Sequence, residues 1–199
     1  MVLLGFGALG SGPLGGFPLE DIRVGSKVIS LVMQGIIVPD GQKVSEGVLL
    51  KSTSAVWSEI ARVLANDWSQ AWHLTPEQWE EMVAGAYEKA GYRTILTPRS
   101  GDFGRDVIAS REGVGAIKVL GSVKRYAPDH LVDAEACRSL LGVLGMDRSA
   151  SKGIISTTSD FAPKIEADPF IAPALPYRLE LMNGEKLQSW LKALAEEER

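Results

Sequence analysis

The chain has 199 residues, which is long enough for one domain with a substantial hydrophobic core, alone or with a small appendage. Its composition is that of a globular protein, with 45% hydrophobic and 23% charged residues, and the formal net charge of −4 argues against a protein that coats nucleic acid without specificity. The single cysteine, Cys137, excludes an internal disulfide and fits a reducing compartment.

The first eighteen residues are rich in glycine and leucine. Six of them are glycine, which loses the most backbone entropy on ordering, so we predict a flexible arm at residues 1–18. The segment is apolar but has no lysine or arginine, whereas a secretory signal needs a positively charged start. No stretch is long and apolar enough to span a bilayer. We therefore expect the protein to act in the cytoplasm, away from membranes.

Residues 19–70 are predicted to form a small region of strands and one helix, to which we assign no chemistry. Three β-branched runs, at residues 27–32, 35–38 and 44–50, indicate two or three short strands, with a turn at Pro39-Asp40-Gly41. A helix capped by Ser54 is predicted to follow and to end near Asn66. A target-reading module, an arm for homo-oligomers and a scaffold contact all fit such a region.

The rest of the chain, residues 71–199, alternates helix and strand patterns. The clearest helix start is TPEQ from Thr75, a capping box with proline at the first helical position, and Gly91 ends that helix. Strands are predicted at residues 92–97, 105–110, 116–126, 153–157 and 178–182. Asp133 caps a helix that ends near Leu144, and an Asn183-Gly184 turn precedes a final helix at residues 185–195. This order predicts a mixed α/β fold, with helices against a central sheet.

Two neighbouring predicted strands carry the residues that suggest a reaction. Asp106 opens the first strand after a glycine-flanked loop, and Lys124 lies near the end of the second, two residues after Ser122. Since side chains alternate along a strand, Ser122 and Lys124 point to the same face. A hairpin centred near Gly113 places Asp106 opposite Leu120, whereas a turn displaced toward residue 115 moves its partner toward residue 123 or 124. The sequence leaves this register open.

These side chains suit metal-assisted hydrolysis of a phosphodiester. That reaction needs a hard divalent cation held by oxygen ligands, an activated water, and neutralisation of the charge that develops on the phosphate. In this interpretation Asp106 is a metal ligand, the Val123 carbonyl is a further ligand, and Lys124 orients or deprotonates the water and offsets charge. On spacing alone, Asp106 and Lys124 also fit an ordinary surface pair.

Basic residues are concentrated around this candidate site. Residues 91–130 contain seven lysines and arginines against four acids, a local net charge of +3 in a chain whose overall charge is −4. Such an excess suits a polyanionic substrate. Arg99, Arg105 and Arg125 flank the site and are candidates for bidentate contacts with DNA phosphates, although each also fits a solvated charge at a strand edge.

Several segments, in the right order over roughly residues 75–194, resemble the Mrr-like (type IV) restriction endonucleases of the PD-(D/E)xK nuclease superfamily. TPRSGDFGRDVIA at residues 97–109 is similar to the loop that ends in the family's catalytic acid, and VKRY at residues 123–126 to the strand that bears its lysine. Five further segments are similar to the family's flanking helices, strands and turns: PEQWE at 76–80, AGY at 90–92, LLGVL at 140–144, KGIISTTSDF at 152–161 and LMNG at 181–184. The resemblance is carried by these segments in combination.

The resemblance implies a restriction-endonuclease-like mixed central sheet flanked by helices, with a small β-rich N-terminal extension. It also implies a Mg²⁺-dependent endonuclease, with Mn²⁺ as a substitute ion, that restricts foreign or modified double-stranded DNA. Asp106 and Lys124 take the metal-ligand and catalytic-lysine roles. Glu80, at the aromatic-Glu position of the first helix, is a candidate further ligand, and it is equally compatible with a solvated helix acid.

One position departs from the family pattern. Two residues before its lysine the family usually has glutamine, and many relatives in the superfamily have glutamate, whereas this chain has Ser122. A hydroxyl is a short and weak ligand, so Ser122 acts through water or the metal site is weakened. Two alternatives to an active endonuclease therefore stay open: a relative that binds DNA without cutting it, and a structural or assembly protein built on this fold.

Overall fold

The computed structural model describes residues 35–98 and 104–197, which form a seven-stranded sheet with helices on both faces. The strands are β1 (Ile37–Val44), β2 (Gly47–Thr53), β3 (Arg93–Leu96), β4 (Val107–Arg111), β5 (Ile117–Lys124), β6 (Lys152–Thr157) and β7 (Leu179–Met182). The α-helices are α1 (Ala55–Asn66), α2 (Pro76–Lys89), α3 (Ala134–Met146) and α4 (Gly184–Glu196), and 3-10 segments lie at Trp68–His73, Ile165–Ala167 and Ala172–Ala174. None of the helices in this part of the chain has the length and apolarity that a membrane crossing requires. The predicted arm at 1–18 and the predicted strand at 27–32 lie outside the described residues.

The described strands lie in the sheet in chain order, from β1 to β7. Neighbouring pairs from β1 to β5 are antiparallel, whereas β5, β6 and β7 run parallel. Parallel neighbours need crossover connections, which α3 provides between β5 and β6 and the two later 3-10 segments provide between β6 and β7. The mixed α/β fold is confirmed, with α2-β3-β4-β5-α3-β6-β7-α4 in the predicted order.

The hydrophobic core has two parts, one on each face of the sheet. On the first face Val107 and Val119 pack with α1, α2 and α4, and on the second Ile108 and Leu120 pack with α3 and the later 3-10 segments. Because side chains alternate along a strand, β5 is buried on both faces. The same alternation sets the even-numbered residues at the end of β5 on the face of Leu120.

The predicted capping box at the start of α2 is confirmed. The Thr75 hydroxyl accepts a hydrogen bond from the Gln78 N–H (3.3 Å), and the Gln78 side chain accepts from the Thr75 N–H (2.8 Å). Pro76 is the first helical residue, a position at which an N–H would have no acceptor within the helix, so proline costs no hydrogen bond. Gly91, with φ of +81°, follows the last turn as predicted. These local bonds determine where α2 begins, and they place Glu80 on its second turn.

The predicted turn at Pro39-Asp40-Gly41 is wrong. These residues lie within β1, and the turn between β1 and β2 is Ser45-Glu46. The pairing of β1 with β2 shifts register on either side of Pro39, which indicates a β-bulge, and Gly41 adopts φ of +78° there. Proline is tolerated at a bulge because its nitrogen is not required to donate to the ladder.

Two helix starts differ in their chemistry from the prediction. Ser54 precedes α1 as expected, but its hydroxyl donates to the carbonyls of Gly35 (2.6 Å) and Ile36 (3.0 Å) instead of accepting from the helix. Asn183-Gly184 is not a separate turn, because Asn183 caps α4 by accepting from a first-turn amide (3.1 Å) and Gly184 is already helical. Ser54 therefore ties the helix start to the chain before β1.

The described part of the N-terminal region continues the main sheet. β2 pairs with β3, where Val48 lies opposite Leu96, and α1 packs against α4. Gly47 begins β2 with φ of +150°, and a Cβ there would stand 2.2 Å from the Leu96 carbonyl oxygen. Only glycine allows this approach of the two strands. Residues 36–66 therefore share one core with the chain that follows them.

Gly85 on α2 tests how tightly the helices pack. A Cβ there would stand 2.6 Å from two indole atoms of Trp57, which is fully buried and donates to the Met82 carbonyl (2.9 Å). We expect Gly85→Ala to destabilise the protein by about 1–3 kcal/mol, because overpacking of the core outweighs the gain in helix propensity. Urea denaturation of the two proteins measures the difference.

Gly142 on α3 is the matched control, because it is exposed and nothing lies within 4 Å of a Cβ at this position. Gly142→Ala removes a flexible residue from a helix, so we expect it to stabilise the protein by about 0.5–1 kcal/mol. A Gly85→Ala protein as stable as the wild type would contradict the packing described here.

Candidate active site

The carboxylate of Asp106 lies against the end of β5. Its Oδ2 accepts a hydrogen bond from the main-chain N–H of Val123 at 2.5 Å. The main chain bends here, because the Asp106 N–H donates to Gly121 on β5 (2.8 Å) whereas its carbonyl accepts from Thr97, next to β3 (3.0 Å). In a regular strand both groups of a residue face the same neighbour. The ladder with β5 therefore stops at Asp106. The Asp106 carboxylate accepts the hydrogen bond from the Val123 N–H that a main-chain carbonyl of β4 would accept if the ladder continued.

The hairpin register places this acid beside the lysine-bearing strand end. The β4–β5 pairs, from Val107 with Gly121 onward, centre the hairpin on Val114, between the two registers that the sequence leaves open. Lys124 is the last residue of β5 and directly follows the residue that Asp106 contacts. Asp106 and Lys124, both half-buried, are thus brought to the same end of the sheet.

Ser122 lies on the same face of β5 as Lys124 and is buried, with 3% of its surface exposed. Its carbonyl accepts from the Ser156 hydroxyl of β6 (3.4 Å), and its neighbour in the parallel ladder is Ile155. The residue at the family's glutamine position is therefore enclosed between strands. A hydroxyl at this depth reaches less far than an amide or carboxylate side chain.

The oxygen atoms at this strand end suit a hard divalent cation in kind. Because the Val123 N–H faces Asp106, the Val123 carbonyl faces the same side of β5. A carboxylate and a main-chain carbonyl are ligands that Mg²⁺ accepts, and Mg²⁺ keeps several waters as its other ligands. Within residues 35–98 and 104–197, no three His, Cys, Asp or Glu side chains converge as metal ligands. A cation here would therefore draw its remaining ligands from outside that group of side chains.

Glu80 stays a prediction as a further ligand. It is half-buried on α2 and directly follows Trp79, whose indole nitrogen donates to the Ala71 carbonyl (2.9 Å). This bond and the burial of Trp79 hold the second turn of α2 in place.

The three arginines predicted to contact DNA have different surroundings. Arg99 lies outside the described residues. The Arg105 guanidinium lies 3.8 Å from the Asp147 carboxylate, and that of Arg125 donates to the Trp72 carbonyl (2.7 Å). Both described arginines are thus engaged within the protein, and their contact with DNA stays a prediction.

The 3-10 segment Trp68–His73 contacts the residues that follow β5 and β6. The sequence analysis predicts no helix or strand for these residues. The Trp68 indole donates to the Thr158 carbonyl (3.2 Å), and the Trp72 carbonyl accepts from Arg125. The available signal was Asp67, whose carboxylate caps the segment by accepting from the Ser69 N–H (3.0 Å). The region before α2 therefore contacts both β5 and β6 where they end.

Asp147, at the end of α3, joins three elements near Arg105. Its Oδ2 lies 3.0 Å from the Lys118 ammonium of β5, which also lies 3.0 Å from the Glu46 carboxylate in the β1–β2 turn. Burial by itself raises the pKa of Asp147, but hydrogen bonds from Ser149 and Lys118 and the charge of Lys118 outweigh it and lower the pKa to about 2. The folded protein therefore favours the charged form of this carboxyl group.

This lowered pKa leads to an expected dependence of stability on pH. The unfolded chain protonates Asp147 near its usual pKa of 3.8 and the folded protein only near 2. The stabilisation is thus complete above about pH 4 and is lost as the pH falls through about 2. We expect Asp147→Asn to be less stable at pH 6 and to lose less stability than the wild type between pH 4 and 2, as measured by urea denaturation. Equal slopes in the two proteins would contradict this.

A comparison with family models places the described site in a known group of proteins. Residues 72–191 match the model of the Mrr catalytic domain, whose description is restriction endonuclease. The chain belongs to this family. The match covers more than half of the chain and includes Asp106, Ser122 and Lys124. The predicted resemblance is confirmed, and residues 72–191 form a restriction-endonuclease-like nuclease domain.

Two solved structures resemble the Mrr-family chain in part. The MspJI restriction endonuclease, in complex with a 27-mer oligonucleotide, gives a TM-score of 0.46 at 18% identity, over 72% of this chain and 36% of its own. The DNA modification-dependent restriction endonuclease AspBHI gives 0.45 at 14% identity, over 73% of this chain and 40% of its own. The chain thus spans well under half the length of either protein. A comparison with curated proteins gave no match.

Proposed function

We propose that this Mrr-family domain is a divalent-metal-dependent endonuclease that hydrolyses phosphodiester bonds in double-stranded DNA. The observation that carries the proposal is the hydrogen bond from the Val123 N–H to the Asp106 carboxylate. It holds the acid against the residue that directly precedes Lys124 in the chain. Family membership supports the nuclease activity. Mg²⁺ is the expected ion, with Mn²⁺ as a substitute, because the oxygen donors at the strand end are hard.

Each residue has a task that its chemistry suits. The Asp106 carboxylate and the Val123 carbonyl would hold the cation. A bound cation supplies a Lewis acid for the phosphate and a water that ionises near neutral pH. Lys124 carries a compact positive charge on a flexible stem, so it can orient the attacking water and offset the charge that develops on the phosphate. Ser122 is short and buried, and in this proposal it acts through water.

The proposed substrate is foreign or modified DNA, cut in the cytoplasm as a restriction activity. Its support is the family, together with the local net charge of +3 over residues 91–130. Arg99, Arg105 and Arg125 would contact phosphates. For Arg105 and Arg125 this requires an exchange of partners, since in the structure their guanidinium groups engage Asp147 and Trp72.

The test is cleavage of supercoiled plasmid, prepared once from a host that methylates its DNA and once from a host that does not. With Mg²⁺ or Mn²⁺ we expect nicked or linear product, and with EDTA none. Cleavage that persists in EDTA would overturn the metal dependence. Failure to cut either plasmid with either ion would overturn the endonuclease proposal.

A DNA-binding protein without cleavage is the second candidate. It is favoured by Ser122, which is 3% exposed and offers a weaker oxygen than the family's usual glutamine. This candidate is supported if a gel shift shows salt-dependent retention of DNA while both plasmids stay intact. An assembly protein would show neither retention nor cleavage.

A further inference from the structure

Thr158, the residue that follows β6, makes hydrogen bonds to Lys124 and Tyr126, the two neighbours of Arg125 in the chain. Its N–H donates to the Lys124 carbonyl (3.1 Å). Its hydroxyl accepts from the Tyr126 N–H (2.8 Å) and donates to the Tyr126 carbonyl (2.7 Å). One buried residue thus makes three hydrogen bonds to the main chain of residues 124–126.

These hydrogen bonds matter because the described pairing of β5 with β4 has already ended at this point. β4 pairs with β5 only as far as Gly121, and the Asp106 side chain takes the N–H of Val123. Beyond Val123, the hydrogen bonds described for the main-chain carbonyl of Lys124 and for both main-chain groups of Tyr126 come from the β6 side. The Lys124 backbone is therefore held from the β6 side, by its place opposite Thr157 in the ladder and by the hydrogen bonds of Thr158.

Thr158 is itself held firmly. Its surface is 3% exposed, and its carbonyl accepts from the Trp68 indole (3.2 Å). A Cβ on Gly184, at the start of α4, would stand 2.8 Å from the same carbonyl oxygen, so the helix start also packs closely on it. The hydroxyl and both main-chain groups of Thr158 are all used, and two elements behind it restrict its movement.

We propose that Thr158 is a positioning residue for the reaction: it holds the chain around Lys124 and thereby sets where the ammonium group stands relative to Asp106. The inference rests on the proposed catalytic role of Lys124. One oxygen atom must both accept and donate, so serine can replace threonine at this position, whereas valine, which has the same shape without the hydroxyl, cannot.

The first test compares Thr158→Val and Thr158→Ser in single-turnover cleavage of DNA. We expect the valine variant to lose about tenfold or more in rate with an unchanged Kd for DNA, and the serine variant to stay within about threefold of the wild type. Thr94→Val is the matched control, because Thr94 is fully buried and its hydroxyl donates to the Tyr92 carbonyl (3.2 Å), away from β6. Its rate should equal that of the wild type. Equal losses in the valine and serine variants of Thr158 would overturn the proposal.

The second test needs no cleavage activity. Lysines of the protein are ¹³C-methylated, the Lys124 signal is identified by its absence in Lys124→Arg, and its chemical shift is compared between variants. We expect the shift to change in Thr158→Val and to return in Thr158→Ser. Thr158→Ala, which leaves more room beside Tyr126, replaces the valine variant if that protein does not fold.

The two tests separate the two proposals. If the wild type cuts no plasmid, the proposed function fails, and the Lys124 signal alone decides whether Thr158 positions the lysine. A Lys124 signal that is the same in Thr158→Val and in the wild type overturns the positioning role, whatever the cleavage assay shows.

Discussion

Replacing Lys124 with alanine is expected to lower the rate of Mg²⁺-dependent DNA cleavage by about a thousandfold. The reason is that Lys124 supplies the positive charge at the end of β5, one residue from the amide that binds Asp106. In the proposed function, truncation would leave the charge on the phosphate without this compensation and the water without its orienting group. Single-turnover cleavage of one DNA substrate measures the loss, and DNA affinity measured in parallel separates chemistry from binding.

Lys152→Ala is the matched control for this variant. Lys152 opens the neighbouring strand β6 opposite Val119, so it lies at the other end of the sheet, where its ammonium pairs with the Glu180 carboxylate. We expect its cleavage rate to equal that of the wild type. If Lys124→Ala also cut DNA at the wild-type rate, Lys124 would have no part in the reaction.

The second large effect is expected for Asp106→Asn. Asparagine keeps the shape of the side chain and an oxygen that can accept from the Val123 N–H, but it lacks the negative charge that a hard cation prefers. We expect cleavage to fall by about a thousandfold and Mn²⁺ affinity by about a hundredfold. Electron paramagnetic resonance of free Mn²⁺, titrated with protein in the absence of DNA, measures the affinity directly.

Asp133→Asn offers the same chemical change away from the site. Asp133 caps α3 by accepting from the Ala136 N–H (3.0 Å), and asparagine caps helices about as well as aspartate. Both Mn²⁺ affinity and cleavage should match the wild type in this control. An Asp106→Asn protein that binds Mn²⁺ as tightly as the control would remove Asp106 from the proposed metal site.

The site is built from the whole described chain and not from the hairpin alone. Thr158 follows β6, and Trp68 reaches its carbonyl from the 3-10 segment before α2. Gly47 allows β2 to approach β3, which continues the sheet on the side away from β6. Variants in residues 36–73 are therefore expected to affect the candidate site through packing.

The elements that the sequence predicts correctly depend on groups close together in the chain. The capping box of α2 needs only Thr75 and Gln78, and the cap of α3 only Asp133 and Ala136. The alternation that puts Ser122 and Lys124 on one face is likewise local, because it follows from strand geometry. The family segments then led to the pairing of Asp106 with Lys124.

Two of the predictions that failed involve partners outside the local segment. Ser54 is a sound N-cap by its own sequence, but its hydroxyl bonds to carbonyls nearly twenty residues earlier. Pro39-Asp40-Gly41 is a strong local turn signal, and pairing with β2 absorbs it as a bulge. In both cases a tertiary contact outweighed the local preference.

The sequence by itself determined the order of helices and strands from α2 onward, since that order follows from local periodicity. The resemblance to the family segments made Asp106 and Lys124 the candidate acid and lysine. Only the tertiary structure decided that the Asp106 carboxylate meets the Val123 amide. That contact requires Asp106 to turn its N–H toward β5 and its carbonyl toward Thr97. Whether the chain bends in this way depends on which neighbouring segment binds each main-chain group of Asp106. Both partners, Thr97 and Gly121, lie outside the local segment, so the pattern around Asp106 does not predict the bend.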